Sequence, residues 1–398
     1  MKLLIKRGVF VVALFAIVAL VIANRTSADA QLTNEQALWA AIIQQINRTQ
    51  AQPATPQAGL VQGQAQEITA EQQYKNIQVL KGIPAWQLDP LMRLFAASLG
   101  VRCDFCHVRN GNQMEFDKDD KKAKKEARKM IEMTAALNKN IFDNKVEVTC
   151  YTCHMGHDHP AGAPVLPTAI IPPTAAKPAE PMPTADQIVA KYIQAVGGKE
   201  AAAKLKNQTL KGVYQPQRGN NELPLEIVQT GDKLHVTVTT PQGTNTRVFD
   251  GAKGWSKAGN QLREMEVHDL LMTKDLLQAF QVVKLKEPFP KFTLRGKDKV
   301  GDREVYVLQG ALPDKRRVRL FFDMQTGLLL RKVILLQLPV GIDPTQIDFE
   351  DYREVDGVKI PFTIRTLYAE PGYSGTRKFT EIKHNVAVDE TKFAMPQK

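Results

Sequence analysis

All four cysteines of this chain stand in two copies of one short pattern. The first copy is CDFCH, from Cys103 to His107, and the second is CYTCH, from Cys150 to His154. Cys-x-x-Cys-His is the attachment signal of c-type haem, whose two vinyl groups react with the thiols while the histidine nitrogen binds the iron. The sequence therefore predicts two covalently bound haem c groups. Their thioether residues are Cys103, Cys106, Cys150 and Cys153, and their proximal ligands are His107 and His154.

Other uses of paired cysteines fit this pattern less well. A disulfide needs no adjacent histidine, and two redox-active Cys-x-x-Cys motifs would require a thioredoxin-like βαβ context that this sequence lacks. A four-cysteine zinc site separates its cysteine pairs by roughly 15–20 residues. Cys106 and Cys150 are much further apart than that.

The sixth ligand of each iron decides between electron transfer and catalysis, because a His/Met pair raises the potential and closes the iron to substrates. Met92 lies in QLDPLMRLFAASLG, before the first motif. In this stretch Asp89 can cap a helix, Pro90 suits its first position and Gly100 can end it. We predict Met92 as the distal ligand of the first haem.

A second predicted helix, KKAKKEARKMIEMTAALNKNIF, precedes the second motif and carries Met130 and Met133 close to one face. We predict Met133 as the distal ligand of the second haem, with Met130 as an alternative. His157 and His159 directly follow the second motif and offer a histidine ligand instead.

Residues 74–160 resemble the cytochrome c subunit of photosynthetic reaction centres, specifically one half of that four-haem protein. The resemblance lies in NIQVLKGIPAWQLDPLMRLFAASLGVRCDFCHV, FDKDDKKAKKEARKMIEMTAALNKNIF and VTCYTCHMG. It implies a haem pair and not photosynthesis, because non-photosynthetic bacterial proteins share this unit. It also implies a distal methionine from the helix before each motif, Met92 for the first haem. For the second haem the family admits either a methionine, here Met133, or a histidine from elsewhere.

The N-terminus has the pattern of a secretory signal peptide. Three basic residues are followed by an apolar run from Gly8 to Ala23 and by the cleavage pattern Ala28-Asp29-Ala30. We predict cleavage before Gln31 and a periplasmic protein. If the segment is not cleaved, it anchors the protein to the inner membrane, although the run is short of the roughly 20 residues of a usual span.

The chain is basic, with a formal net charge of +11 and a pI near 9.3. Removing residues 1–30 takes away four basic side chains and one acidic one, which leaves +8. Much of this excess lies in DKDDKKAKKEARK, at 117–129, which could steer an acidic partner or form a solvated helix face. Export argues against nucleic acid as a partner.

Composition divides the rest of the chain into segments. Residues 31–72 predict a short helix and a flexible tether, and 73–159 a small helical dihaem domain. Eight prolines from Pro160 to Pro183 predict an extended linker over 160–183. The remaining residues, 184–398, open with a helix capped by Asp186 and stopped by Gly197, and then alternate apolar and polar residues between turns.

This alternation predicts a consecutive antiparallel sheet with a helix over 268–280 packed against it. FDMQTGLLLRK and YREVDGVKIPFTIR resemble the half-barrel of periplasmic lipoprotein-carrier and outer-membrane sorting proteins. Such a half-barrel can hold an apolar ligand or merely bury its own core. The expected fold class is therefore multidomain, α + (α+β), with a helical cytochrome domain, a proline-rich linker and an antiparallel half-barrel.

The sequence as a whole predicts an exported dihaem cytochrome that relays single electrons between periplasmic or membrane redox proteins and is not an enzyme. The half-barrel would then be a docking or apolar-ligand-binding domain. One alternative is a haem enzyme, a peroxidase or reductase, with one open iron. Another makes the half-barrel a carrier of lipid or quinone.

Overall fold

The structure is a computed structural model that describes residues 67–160, 182–219, 221–280, 291–312, 314–369 and 371–396. All of them belong to one compact unit, Gly59–Lys398. The predicted signal peptide, residues 31–66 of the predicted tether and nearly all of the proline-rich linker lie outside the described residues. We call residues 67–160 the helical region and residues 182–396 the β region.

The helical region contains both cysteine motifs. Each motif forms a single helical turn, and longer helices precede both turns as predicted. The helices are α1 (Ala70–Gln73), α2 (Leu88–Leu99), α3 (Cys103–Cys106), α4 (Lys122–Ile141) and α5 (Cys150–His154); a 3-10 turn spans Ala85–Gln87, and an antiparallel hairpin joins β1 (Val108–Asn110) to β2 (Gln113–Glu115).

Helix α2 begins two residues earlier than a cap at Asp89 would place it. The backbone of Gln87, which leads out of the 3-10 turn, is already helical and occupies the cap position. Asp89 therefore lies in the first turn, where a carboxylate favours the helix dipole, and it pairs with Arg93. Gly100 ends the helix in the left-handed conformation at φ 66°, as predicted.

The β region contributes three helices, α6 (Ala185–Ala195), α7 (Lys199–Ala203) and α8 (Val267–Phe280). Helix α8 agrees with the predicted helix over 268–280. The predicted cap of α6 was wrong, because Thr184 and not Asp186 holds that position. The Thr184 hydroxyl accepts a hydrogen bond from the Gln187 backbone N–H at 3.2 Å, which leaves Asp186 inside the first turn.

The predicted antiparallel sheet is confirmed, and within the described residues it has 13 strands in the order β8-β7-β6-β5-β4-β3-β15-β14-β13-β12-β11-β10-β9. Every neighbouring pair but one joins consecutive strands; the exception is β3, which pairs with the last strand, β15. The strands are β3 (Asn207–Pro216), β4 (Leu223–Thr230), β5 (Lys233–Thr240), β6 (Gly243–Phe249), β7 (Gly254–Ala258), β8 (Gln261–Glu264), β9 (Thr293–Val300), β10 (Arg303–Ala311), β11 (Arg317–Asp323), β12 (Leu329–Leu338), β13 (Gly341–Val355), β14 (Val358–Tyr368) and β15 (Gly375–His384).

The main core lies between one face of this sheet and helices α6 and α8. Apolar side chains alternate along the strands, so that residues such as Leu225 and Ile227 of β4 reach the same buried cluster. Tyr192 of α6 and Leu276 of α8 belong to that cluster, and α8 packs on β5 and β6. The two helices therefore pack on the buried face of the sheet and cover part of it.

A second, smaller cluster joins the helical region to the β region. Leu91 and Leu94 of α2 pack with Leu336 and Leu338 of β12 and with Val340. The buried face of α2 is thus directed at the sheet, which fixes the helix that carries Met92 relative to the β region.

Candidate haem-binding site

The first motif is a single helical turn whose thiols remain accessible. The backbone N–H of His107 donates to the carbonyl of Cys103 at 3.0 Å, which closes the turn. Cys103 is exposed and Cys106 is partly buried. The ring of His107 lies edge-on to that of Phe116, with the ring centroids 5.1 Å apart.

A buried lysine supports the loop beside the first motif. Lys124 of α4 donates to the carbonyls of Phe116 at 2.9 Å and Lys118 at 2.7 Å, and it forms an ion pair with Asp119 at 2.9 Å. Arg128 binds the same carboxylate at 2.8 Å, and these hydrogen bonds hold the pKa of Asp119 well below its usual value. These hydrogen bonds and ion pairs therefore hold the loop that carries Phe116 against α4, next to the first motif.

The electrostatic surroundings of His107 are positive. Burial lowers the pKa of His107, and the neighbouring charges of Lys124 and Arg128 lower it further, while a weak contact with the Phe116 backbone acts in the opposite direction. The Nδ1 atom of His107 is buried and has no hydrogen bond of standard geometry to a described residue.

The second motif orients its histidine differently. The Nδ1 atom of His154 lies 2.9 Å from the carbonyl oxygen of His157, which leaves Nε2 to face a ligand. This contact depends on a tight turn, in which Met155 and Gly156 both adopt left-handed conformations, at φ 49° and 88°. A hydrogen bond from Nδ1 to a backbone carbonyl is a common way to fix a metal-binding imidazole.

The turn at Met155 and Gly156 is hydrogen-bonded to the end of α2. The backbone N–H of Gly156 donates to the carbonyl of Ser98 at 2.9 Å, and a side chain at Gly100 would collide with the carbonyl oxygen of Gly156. On the other side, the amide of Asn138 in α4 bonds the backbone of the segment that enters α5, including the carbonyl of Val148 at 2.7 Å. The second motif therefore lies between α2 and α4.

The four thiols are not paired with one another as disulfides. Burial raises the pKa of Cys106 and of Cys150, so both thiols are protonated at neutral pH. No cluster of three or more metal-ligating side chains occurs among the described residues. The structure therefore does not bring the two cysteine pairs together as a zinc site.

The predicted distal methionines lie on the helices that flank the motifs. Met92 is partly buried on α2, whereas 45% of Met133 and 43% of Met130 are exposed on α4. Helix α4 contacts both motif turns, and α2 contacts the second turn, α5. The assignment of Met92 to the first haem and Met133 to the second therefore stays a prediction. His157 and His159 are both exposed.

The surface around the motifs is unusually apolar for one that faces water. Phe116 is 59% exposed beside the first motif, and Tyr151, inside the second, is 57% exposed. Large apolar side chains exposed beside these thiols suit the binding of an apolar group such as a porphyrin. The donors and their apolar neighbours therefore fit a haem group at each motif. The other large apolar side chains that are exposed in the motifs, directly after the second motif or on α4 are Phe105, Met130, Met133, Leu137, Ile141 and Met155.

Sequence reasoning missed three parts of this site, namely buried Lys124, the carbonyl of His157 and the close approach of Gly100 to Gly156. The lysine lies in a run of exposed lysines and has no distinguishing local signal. The glycines are visible in the sequence, but only the tertiary fold shows that they meet.

Within the described residues, no helix is long and apolar enough to span a membrane.

Comparison of the β region with solved structures finds distant similarity. A LolA superfamily protein of Nitrosomonas europaea is 12% identical, with a TM-score of 0.37, over 53% of this chain and 97% of that protein. An outer membrane lipoprotein-sorting protein domain of Vibrio parahaemolyticus is 11% identical, with a TM-score of 0.36, over 52% of this chain and 94% of that protein.

Residues 32–178, which include both motifs, match the family model of the photosynthetic reaction centre cytochrome c subunit. The cytochrome c subunit of the photosynthetic reaction center of Thermochromatium tepidum is 34% identical over 95 residues. The match covers 23% of this chain and 22% of that relative, so the chain spans about a fifth of its length. The cysteine-bearing part of this chain is thus similar to the cytochrome c subunit of photosynthetic reaction centres.

Proposed function

We propose that this chain is an exported c-type cytochrome that carries two covalently attached haem groups and relays single electrons between redox proteins. The observation that carries the proposal is that both Cys-x-x-Cys-His turns pack against one helix, α4, beside an apolar surface. Two haems attached to neighbouring turns would lie close to each other, as transfer between them requires.

The residues of the chain would hold the cofactors as follows. The thiols of each motif bind one haem, and His107 and His154 supply the proximal nitrogens. When bound, each haem supplies an iron that accepts and releases one electron. The carbonyl of His157 keeps the ring of His154 in one orientation. Met92 and Met133 are the proposed distal ligands, which would close both irons to substrates.

The surface of α4 supports an acidic redox partner. Lys122, Lys125 and Lys129 are exposed on this helix, and a row of cations raises the rate at which an oppositely charged protein docks.

We place the protein in the periplasm, in solution or anchored through an uncleaved N-terminal segment. Its proposed partners are periplasmic or membrane redox proteins, and the β region serves as a docking or apolar-ligand-binding domain.

The first test counts the haems. The mass of the purified chain and the spectrum of its pyridine complex should correspond to two covalent haems, and replacing Cys103 and Cys106 by Ser together should remove one of them. A chain with one haem or none would contradict the proposal.

The second test asks whether the irons are closed. Oxidised wild type should show the weak near-infrared band of methionine-ligated ferric haem, and Met92→Ala and Met133→Ala should each lose about half of it. Met130→Ala should keep the whole band, although Met130 lies on the same helix with similar exposure. If Met130→Ala and not Met133→Ala loses half of the band, Met130 is the distal ligand instead. A high-spin spectrum that changes readily with carbon monoxide would favour a haem enzyme instead.

A further inference from the structure

A charged side chain lies on the core face of the sheet in the β region. In the strand register, Arg377 of β15 stands opposite Ile364 of β14 on one side and Tyr214 of β3 on the other. Directly opposite residues on neighbouring strands share a face. Ile364 is fully buried in the main core, and Tyr214 packs against it. Arg377 is therefore directed into the apolar side of the sheet.

Arg377 has few partners for its charge. One guanidinium nitrogen donates to the hydroxyl of Thr366 at 3.2 Å, and the group lies 5.2 Å from the centroid of the Tyr214 ring. No carboxylate of the described residues lies within ion-pair distance. Buried Arg316, by contrast, binds Asp275 at 2.7 and 2.8 Å. A guanidinium on an apolar face without a counter-charge is costly, because burial removes its hydration.

A second cation lies on the same face of the sheet. In the strand register, Arg247 of β6 stands opposite Val236 of β5, which belongs to the main core. Arg247 reaches Asp269 of α8 only at 3.8 Å, and that carboxylate already binds Arg263 at 2.7 Å. The core face therefore carries two guanidinium groups, one without an ion pair and one with only a long ion pair.

A hydroxyl donor completes the group. Tyr368 ends β14 and lies on the same face as Ile364 and Thr366, because side chains two residues apart on a strand share a face. Burial raises the pKa of Tyr368 to about 12, so its hydroxyl is neutral and able to donate at physiological pH. Arg377, Tyr368 and Arg247 are each partly exposed, so a ligand can reach them. Apolar side chains that belong to the same core and are also partly exposed include Val238 and Leu270.

We infer that Arg377, with Tyr368 and Arg247, forms a binding site for the oxyanion head, a carboxylate or a phosphate, of an apolar ligand that lies on the core face of the β region. Guanidinium groups match carboxylate and phosphate geometry with two parallel hydrogen bonds. The inference does not depend on the haem groups.

The position of this site links it to the helical region. The 3-10 turn Pro371–Tyr373 joins β14 to β15 just after Tyr368, and the ring of Tyr373 lies 4.0 Å beneath the guanidinium of Arg93 on α2. A ligand whose head binds Arg377 would therefore lie close to the helix that carries Met92.

The test compares two probes that share an apolar chain and differ in the head, decanoate and decanol. Isothermal titration calorimetry of the full haem-loaded chain should show that decanoate binds about tenfold more tightly or better, which is the effect of a charge-assisted hydrogen bond. In Arg377→Met the preference should vanish while decanol binding is unchanged. Lys378→Met is the matched control, because this neighbour is exposed on the other face and pairs with Glu222.

Three results would overturn the inference: equal binding of both probes by wild type, no binding of either, or a preference that survives Arg377→Met. Arg377→Met should fold, because it removes a partly exposed cation that has no ion pair and keeps an unbranched side chain on the apolar face, and its thermal unfolding checks this. Inorganic phosphate distinguishes the source of the oxyanion. If phosphate alone raises the Tm of wild type but not of Arg377→Met, the site stands and its ligand is a small free anion.

Discussion

His107 and His154 end the same Cys-x-x-Cys-His pattern but lie in different surroundings. The Nδ1 atom of His154 contacts a backbone carbonyl at 2.9 Å, whereas His107 has the charge of buried Lys124 nearby. A hydrogen bond from a proximal imidazole makes it a stronger donor to ferric iron. A nearby cation favours the reduced iron, which carries one positive charge fewer. If each motif binds a haem, as proposed, the haem at the first motif should therefore have the higher reduction potential.

The Lys124→Gln variant tests this at a single residue. The higher of the two reduction steps should fall towards the lower one, because the buried cation no longer favours reduced iron. Potentiometric titration followed by the optical spectrum measures both steps. Lys124→Arg, which keeps the charge, and Lys122→Gln, whose side chain is 90% exposed on the same helix, should leave both steps in place. A shift of the lower step instead would reverse the assignment.

A carboxylate at the junction of the two regions gives a pH dependence. Burial raises the pKa of Asp343 in β13 from 3.8 to about 7, although the charge of Arg93 acts against it. The unfolded chain therefore releases this proton at lower pH than the folded chain does, and stability falls as pH rises from about 4 to 7.

The Asp343→Asn variant should lack this fall. Its free energy of unfolding should exceed that of wild type by roughly 4 kcal/mol at pH 8 and by much less at pH 4. Denaturant unfolding at several pH values measures the difference. Asp302→Asn, at an exposed hairpin turn, is the control and should follow wild type throughout. A constant difference across the pH range would contradict the linkage.

At the scale of elements, the second motif is positioned by the end of α2. The N–H of Gly156 donates to the backbone carbonyl of Ser98, and the carbonyl oxygen of Gly156 leaves no room for a side chain at Gly100. The helix that precedes the first motif thus supports the second one. Helix α4 in turn contacts both motif turns, so the two attachment sites share one framework.

The Gly100→Ala variant should disturb this contact. Its methyl group would force α2 away from the Gly156 carbonyl. The free energy of unfolding should fall by about 2 kcal/mol or more in total, which exceeds the roughly 1 kcal/mol that a left-handed alanine costs without a collision. Gly82→Ala isolates the backbone effect, because Gly82 is also left-handed, at φ 77°, but has open space around it. Denaturant unfolding compares the two. Equal losses would show that the contact is unimportant.

At the scale of the molecule, the helical and β regions share a core. Leu91 and Leu94 of α2 pack with Leu336 and Leu338 of β12, so unfolding of either region exposes apolar surface of the other. The predicted domains should therefore unfold together. The proposed oxyanion site and the Asp343 carboxylate both lie near this junction. A ligand at the site or a proton on Asp343 could therefore change the packing of α2, the helix that carries Met92.

The Leu338→Ala variant should weaken the junction. We expect a loss of about 3 kcal/mol, as for other buried leucines. We also expect separate transitions when haem absorbance and the fluorescence of Trp255 are followed together in a chain whose other two tryptophans, Trp39 and Trp86, are replaced by Phe. Leu320→Ala removes the same atoms from the main core, where Leu320 is 0% exposed. It should lower stability without separating the two transitions. Coincident transitions in Leu338→Ala would show that the regions are coupled elsewhere.

The sequence by itself determined the local features of this protein. The two motifs, the helices before them, α8 and the alternating strands follow from spacing and periodicity, which a short stretch of chain encodes. The predicted caps of two helices were each two residues too late, because the backbone that leaves the 3-10 turn is already helical at Gln87 and because the Thr184 hydroxyl caps α6.

Only the tertiary structure decided what lies around those features. The pairing of β3 with β15 joins strands more than a hundred residues apart, and it places Arg377 opposite Tyr214 on an apolar face. The burial of Lys124 among exposed lysines and the meeting of Gly100 with Gly156 are likewise contacts between distant segments. No local pattern encodes them, because they depend on which apolar faces pack together when the whole chain folds.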